Sequence, residues 1–274
     1  MADRSSQRTR VTRLGDETLA RVDDRLATEE PLEIRLSGEP LTVIMRTPGD
    51  DRHLVLGFLF SEGIIRGKGD VVAIDAVENG EHPDLENILD VRLQAGAPGK
   101  DARWQRHFFA ASSCGLCGVS SIEAIHRQAA PIPPDGLRID PEVVFGLDAK
   151  LRTEQSVFAA TGGLHAAGLF TRDGAPIVVR EDIGRHNAVD KVVGYAVAHD
   201  LVPLRDVILM VSGRTSFEIV QKALMAGIPV IAAVSAPSSL ARDLAQASNQ
   251  TLIGFLRGRR LNVYAGRDRV AGPV

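Results

Sequence analysis

Residues 207–216 read VILMVSGRTS, which is five consecutive apolar residues followed by a polar turn. An apolar run of this length is typical of a strand that is buried on both faces of a sheet. Beyond the turn, Phe217, Val220 and Leu224 recur at helical spacing and predict a helix over residues 216–226. The same order of strand and helix is repeated before residue 250, so this half of the chain predicts an α/β fold with a largely parallel sheet.

Further elements extend on both sides of this segment. Strands are predicted at 32–36, 41–45, 71–77, 88–93, 177–180, 230–234, 251–256 and 261–264, with an interrupted strand over 157–170. Helices are predicted at 53–62, 120–128, 187–198 and 239–247, and another begins after the N-cap candidate Asp140. The sequence PIPPDG at 131–136 marks a boundary between domains. The predicted organisation is a disordered basic tail over 1–15, a smaller β-rich domain over 16–135 and an α/β domain over 136–274.

Charge and hydropathy exclude several classes of function. A formal net charge of -3 disfavours general binding to nucleic acid. The longest strongly apolar run, residues 54–60, is far shorter than the roughly 20 residues of a membrane-spanning helix. Residues 1–13 are polar and rich in arginine, unlike a signal peptide. We therefore expect a cytoplasmic protein whose partners include neither nucleic acid nor a membrane.

The two cysteines of the chain, Cys114 and Cys117, lie three residues apart in the sequence SSCGLCG. Such a pair can form a disulfide, supply half of a metal site, or pass sulfur from one thiol to another. The flanking glycines and serines favour a loop that presents its sulfur atoms, whereas a structural cysteine usually lies among larger apolar residues. In a reducing compartment, a reactive pair is more common than a structural disulfide. The pair is therefore the first catalytic candidate.

Four loops follow predicted strands, and we call them together the rim: residues 181–187, 212–216, 235–239 and 255–260. Turns after parallel strands emerge at one edge of a sheet, where ligands usually bind, and helix N-termini there favour anions. Arginine in these loops adds donors suited to phosphate or to a purine edge. The alternative to a binding site is purely structural: serine, threonine and aspartate cap the helices, and the arginines are solvated at the surface. The candidate ligand-binding residues are Gly184, Arg185, His186, Asn187, Ser212, Gly213, Arg214, Thr215, Phe255, Leu256, Arg257, Gly258, Arg259 and Arg260.

Two histidines lie near these loops. His186 is at a predicted helix start on the rim, whereas His165 lies among small residues in TGGLHAAG, where a hydrogen-bonded core histidine is the default interpretation. The sequence contains no Gly-x-Ser-x-Gly nucleophile motif, and the SGRT order at 212–215 is not a Walker loop.

Four blocks of this sequence closely resemble the FdhD family of formate dehydrogenase accessory sulfurtransferases. They are SCGLCG at 113–118, TGGLH at 161–165, REDIGRHNAVDK at 180–191 and SGRTSFE at 212–218. The resemblance runs from about residue 31 to residue 264, and the twelve-residue block is highly specific. It implies a cytidine-deaminase-like α/β/α fold for the second domain. Neither corresponding helix start, at 185–187 or 214–216, carries the cysteine ligands of a zinc deaminase, so deamination is not expected.

The resemblance also implies a function, a substrate and partners. A persulfide from a cysteine desulfurase would be accepted on Cys114, with Cys117 either releasing the sulfur as sulfide or acting as an auxiliary thiol. The sulfur would pass to the molybdenum or tungsten bis(pterin guanine dinucleotide) cofactor before the formate dehydrogenase catalytic subunit receives it. This cofactor would be a bound substrate, with GDP as its mimic and no intrinsic metal in the protein. The segment 255–260 would contact it, and a homodimer is expected.

Three other functions fit parts of the sequence. Two chains could each give Cys114 and Cys117 to a structural zinc site, or the pair could belong to a thioredoxin-like oxidoreductase. The long β-rich segment before the pair disfavours the second of these, because thioredoxin-like pairs follow a strand inside a compact βαβ unit. A chaperone that binds the cofactor without sulfur chemistry is the third.

Overall fold

The computed structural model describes residues 4–15, 19–78, 80, 87–100 and 130–272, and within them the chain forms twelve strands and six α-helices. The strands are β1 Ser6–Leu14, β2 Leu19–Ala27, β3 Glu30–Leu36, β4 Glu39–Arg46, β5 Val71–Ala76, β6 Ile88–Leu93, β7 His165–Thr171, β8 Pro176–Asp182, β9 Val207–Val211, β10 Val230–Ala233, β11 Thr251–Arg257 and β12 Arg260–Ala265. The helices are α1 Asp51–Ser61, α2 Pro141–Thr153, α3 Ser156–Thr161, α4 Arg185–Ala198, α5 Phe217–Met225 and α6 Ser239–Ala247. Cys114, Cys117 and the helix predicted over 120–128 lie outside the described residues.

A six-stranded sheet in the order β12-β11-β10-β9-β7-β8 forms the centre of the second half. Its strands β9, β10 and β11 run parallel, as predicted. The pairings β7 with β8, β7 with β9, and β11 with β12 are antiparallel, so the sheet is less parallel than predicted. The difference comes from hairpins: tight turns that contain Gly174 and Gly258, both at positive φ, join β7 to β8 and β11 to β12 without a crossover helix.

Helices cover both faces of this sheet and confirm the predicted α/β class. On one face, α2 packs against Ile208 and Met210 of β9. On the other face, α4, α5 and α6 pack against the alternate residues Leu209 and Val211. Since β9 is buried on both faces, its sequence is apolar throughout. No helix in the described ranges is both long enough and apolar enough to cross a membrane.

The first half contains a four-stranded sheet in the order β4-β3-β6-β5. The predicted hairpin is confirmed: β3 and β4 pair antiparallel around Ser37 and Gly38, which both have positive φ. Helix α1 follows β4 and crosses α4 of the second half. A Cβ atom on Gly57 would overlap the backbone of Asp190, and one on Gly194 would overlap the backbone of His53, so two glycines permit this close approach. The main hydrophobic cluster therefore includes residues of both halves.

The prediction of a disordered tail over 1–15 is wrong for residues 6–14, because these form β1. This strand pairs with β2 along its whole length as an exposed two-stranded ribbon. Threonine and valine alternate with arginine in β1, a composition that favours an extended chain. Arg10 and Asp23 lie opposite one another and form an ion pair of 3.4 Å across the ribbon.

The interrupted strand predicted over 157–170 is wrong in its first part. Residues 156–161 form α3, and only His165–Thr171 is a strand. The backbone N–H groups of Val157 and Phe158 donate to the carboxylate of Glu181 at 3.0 and 2.7 Å. The α3 N-terminus is thus held by a residue distant in sequence, which local propensity does not reveal.

Candidate functional site

The structure brings the rim loops together at one edge of the large sheet. The C-terminal ends of β8, β9, β10 and β11 and the start of β7 share this edge. The backbone N–H of Thr215 donates to Ala236 O, and that of Phe255 donates to Ser235 O, each at 3.2 Å. A Cβ atom on Gly213 would lie 4.0 Å from Arg185 Cβ, which places the loops 181–187 and 212–216 side by side. The rim is therefore a continuous surface.

A buried ion pair fixes the loop that precedes α4. Asp182 is fully buried and lies 2.8 Å from Lys191 Nζ, which is also buried. The second carboxylate oxygen of Asp182 accepts from Gly184 N at 2.8 Å and from Asn187 Nδ2 at 2.9 Å. The amide nitrogen of Asn187 also donates to Met45 O at 2.8 Å. The Gly184 N–H and the Asn187 amide group are thus already used in hydrogen bonds within the protein. A ligand at this loop would contact Arg185 and His186 instead.

A cleft of about 420 Å³ opens beside this loop, and we call it the α4 cleft. Its walls come from β4, α1, the start of α4, and α5, together with His165. The residues used below are Ile44, Met45, Phe58, Glu62, Arg185, His186, Asp190, Glu218 and Lys222. His165 also borders a second cavity of about 360 Å³ with Ser212 and Arg152. The cleft is thus built from both halves of the chain.

His186 is a neutral hydrogen-bonding group in this cleft. Burial, together with the positive charge of Arg185, lowers its pKa to about 3. Its Nε2 lies 2.9 Å from Ser216 Oγ, and its Nδ1 lies 3.4 Å from a carboxylate oxygen of Glu218. Burial, followed by the charge of Arg185, also lowers the pKa of His165. Both imidazoles are therefore uncharged at neutral pH.

Three carboxylates and one ammonium group meet at the floor of the cleft. Lys222 Nζ lies 2.9 and 3.0 Å from the two carboxylate oxygens of Asp190 and 3.8 Å from Glu62. Although burial opposes it, the attraction of Asp190, Glu62 and Glu218 raises the pKa of Lys222. Burial raises the pKa of Glu218 to about 7 against the opposing charge of Lys222, and burial likewise raises that of Glu62. A carboxyl group that titrates near neutral pH inside a cleft is a frequent feature of functional sites.

The predicted ligand-binding residues differ in how available they are. Arg214 is exposed, and Arg185 Nε is buried without a hydrogen-bond partner among the described residues. Thr215 is buried, and its Oγ1 likewise has no partner there. Ser212 Oγ already accepts from Ala166 N at 2.9 Å.

The segment 255–260 is divided between the core, an ion pair and solvent. Leu256 is fully buried beneath α2, so its side chain is a core residue and does not face the rim. Arg259 is paired with Glu142 at the start of α2, at 2.6 Å for one of its nitrogens. Phe255 is exposed at positive φ, with the guanidinium of Arg257 6.0 Å from its ring. Gly258 and Arg260 are also exposed. Phe255, Arg257 and Arg260 are thus the side chains of this segment open to a ligand.

Sequence reasoning missed the acidic floor of the α4 cleft. Glu218 and Lys222 are four residues apart on α5, a spacing that usually indicates an exposed ion pair. The available signal was that Asp190 lies three residues before Val193 and Lys222 three residues after Ile219, so each charge shares a helix face with an apolar residue. A charge on a buried face requires a partner. Glu62, at the end of α1, carries no comparable signal.

Known proteins resemble this chain over nearly its whole length. A family model described as the FdhD/NarQ family matches residues 27–271. A protein named sulfur carrier protein FdhD from Nocardia farcinica is 51% identical over 98% of this chain and 96% of its own length. One of the same name from Streptomyces coelicolor is 50% identical, with the same shares covered. The crystal structure of a candidate formate dehydrogenase accessory protein from Desulfotalea psychrophila covers 97% of this chain and 100% of its own, with a TM-score of 0.78 and 23% identity, and shows the same fold.

Proposed function

Because this chain belongs to the FdhD/NarQ family, we propose that it is a sulfur carrier required for formate dehydrogenase activity. The observation that carries the proposal is its match, at about half identity, to relatives named sulfur carrier protein. A sulfur carrier requires a thiol, and Cys114 and Cys117 are the two cysteines of the sequence. The reactive thiol is Cys114, the first of the pair.

The first chemical step loads sulfur onto Cys114. Its thiolate attacks the outer sulfur of a persulfide on a cysteine desulfurase. The sulfur–sulfur bond of that persulfide breaks, the desulfurase keeps its own sulfur as a thiolate, and Cys114 becomes the persulfide. No net oxidation occurs, because one persulfide is exchanged for another.

The second step delivers the sulfur to the substrate, a molybdenum or tungsten bis(pterin guanine dinucleotide). The Cys117 thiolate attacks the inner sulfur of the persulfide, a disulfide forms with Cys114, and the outer sulfur leaves as sulfide to the bound metal. A cellular dithiol reductant returns the disulfide to two thiols. The sulfurated cofactor then passes to the formate dehydrogenase catalytic subunit.

Binding of this substrate is proposed at the rim and the α4 cleft. Arg185 offers a buried Nε without a partner among the described residues, and Arg214 offers an exposed guanidinium that makes no ion pair with any of those residues. Guanidinium groups bind phosphate oxygens through paired hydrogen bonds. These residues therefore fit a guanine dinucleotide, and GDP reproduces its phosphates and base.

Intact-mass measurement tests the sulfur step. Wild-type protein incubated with a cysteine desulfurase and cysteine should gain one sulfur atom on the peptide that contains Cys114. Cys114→Ala should gain none and should fail to activate formate dehydrogenase, while Cys117→Ala should still load sulfur and should keep it longer. Full activation by Cys114→Ala would refute sulfur transfer and leave a chaperone that binds the cofactor.

Calorimetry with GDP tests the binding site. Arg214→Ala should weaken GDP more than tenfold, because a charge-assisted hydrogen bond is worth about 1.5–3 kcal/mol. Arg172→Ala is the matched control, since Arg172 is exposed in the β7–β8 turn at the opposite edge of the sheet. Equal affinities of wild type and Arg214→Ala would remove Arg214 from the site.

We also propose that the protein is a cytoplasmic homodimer. Light scattering after size-exclusion chromatography should give twice the chain mass of 29.4 kDa, and a monomer mass would refute this.

A further inference from the structure

The α4 cleft has one apolar wall and one polar floor. The apolar wall is formed by Ile44 and Met45 of β4 and by Phe58 of α1. Met45 is 49% exposed although it is a large apolar residue. An exposed apolar wall beside a cleft is suited to the face of a flat ring, because covering it removes apolar surface from water.

The floor holds carboxylate oxygens to which no described residue donates a hydrogen bond. The oxygens of Asp190 are occupied by Lys222 and by the hydroxyl of Ser61, at 2.9 to 3.1 Å. By contrast, Glu62 and Glu218 accept no hydrogen bond from any residue that the structure describes: Glu62 lies 3.8 Å from Lys222 Nζ and Glu218 lies 3.4 Å from His186 Nδ1, and about four-fifths of each side chain is buried. Buried carboxylates are normally hydrogen-bonded, so these two can each accept further donors.

The donors that suit this floor are N–H groups. Within the described residues, no group of three or more His, Cys, Asp or Glu side chains is arranged to bind a metal. Lys222 already supplies one positive charge among the three carboxylates. On the side of the cleft next to the floor, Arg185 Nε is a buried donor with no acceptor among those residues. The site therefore offers acceptors for an N–H edge and a donor for a carbonyl oxygen.

We propose that the α4 cleft binds the 2-amino-4-oxopyrimidine edge that guanine and pterin share, with Glu218 accepting from the ring N–H and the 2-amino group. Arg185 donates to the oxo group, and the apolar wall covers the ring face. Two adjacent N–H donors match the two oxygens of one carboxylate, as in other bidentate pairs. Burial raises the pKa of Glu218 to about 7, and donors from the ring favour its ionised form. This inference rests on the proposed function and assigns the base-reading residue of that site.

The experiment compares ligands that differ by one group in wild type and in Glu218→Gln. Wild-type protein should bind GDP at least tenfold more tightly than IDP, which lacks the 2-amino group, and should bind ADP weakest. Glu218→Gln, which keeps the size of the side chain, should lose tenfold or more in GDP affinity and should no longer distinguish GDP from IDP. Glu154→Gln, an exposed change at the end of α2, is the control and should behave as wild type.

Competition with 6-hydroxymethylpterin separates the two sources of the ring edge. If the pterin displaces GDP at a comparable concentration, the cleft binds the edge that both rings share. If the pterin binds with the same affinity whether or not GDP is present, the cleft binds pterin alone. Equal binding of GDP and IDP by wild type, or unchanged affinities in Glu218→Gln, would overturn the inference. If the inference is overturned in this way but Arg214→Ala still weakens GDP binding, the proposed function stands. Absence of both GDP and pterin binding would count against cofactor binding itself.

Discussion

Gly57 lies where α1 crosses α4, and replacing it with alanine should destabilise the protein. An added Cβ would lie 2.6 Å from the carbonyl carbon of Asp190 and closer still to its oxygen. The obstruction is backbone, so the helices must separate, and overpacking of this kind costs about 1–3 kcal/mol. The higher helix propensity of alanine offsets up to about 1 kcal/mol of this loss of stability. We expect a net loss of about 2 kcal/mol, because the shift also disturbs the pairing of Asp190 with Lys222.

Urea unfolding followed by circular dichroism measures this loss. Gly194→Ala should show a similar loss, since its Cβ would overlap the backbone of His53 on the other side of the crossing. Gly146→Ala in α2 is the matched control, because its nearest neighbour would be Lys150 Cε at 3.9 Å, and it should gain up to about 1 kcal/mol. If Gly57→Ala were as stable as Gly146→Ala, the close crossing of the two helices would be refuted.

Three further variants test buried charges. Glu218→Gln should gain stability relative to wild type as pH rises from about 4.5 to 7. In that pH range the wild-type carboxyl keeps its proton in the folded state and loses it in the unfolded state, so the wild type loses at most about 1.4 kcal/mol of stability per pH unit. A stability difference that does not change with pH would contradict this. Arg269→Met should cost about 1.5–3 kcal/mol and lower the melting temperature, because the buried guanidinium donates to Asp135 at 2.9 Å and to Asn249 O at 2.8 Å; a change below about 0.5 kcal/mol would show that these bonds are dispensable. Lys191→Met should cost about 3–5 kcal/mol by leaving Asp182 buried and without its ion-pair partner, and adding Asp182→Asn should recover part of the loss in the same unfolding measurement.

The fold was predictable where one local signal decides the structure. The run at 207–211 became β9, and the pattern over 239–247 became α6 with those boundaries. Prediction failed where a distant residue decides. Val157 and Phe158 have side chains that favour strands, yet Glu181 accepts their backbone N–H groups and a helix forms. The ribbon of β1 and β2 was missed because its arginines suggested disorder.

The sequence predicted which loops form the candidate site. It did not predict which side chains of those loops are already hydrogen-bonded within the protein. The loops that carry Arg185 and Arg214 lie at one edge of the sheet, as predicted, and the role of these arginines in ligand binding stays a prediction. Nothing in the sequence showed that Asn187 is held by Asp182 and by a carbonyl of β4, since that partner is 142 residues away. The acidic floor that includes Glu62 could not be predicted from the sequence, because it forms only where α1 and α5 lie side by side.

The crossing of α1 and α4 has a consequence for how the chain unfolds. The helices pack backbone to backbone, and Lys191 of α4 also donates to Thr47 O of the first half at 2.9 Å. Separating the halves would expose a single hydrophobic cluster and break the hydrogen bond from Lys191 to Thr47 O, so the halves should melt together in one cooperative transition. We therefore expect the α4 cleft to keep a constant width between its walls, so that any ligand would enter it by movement of side chains and not by a hinge between domains.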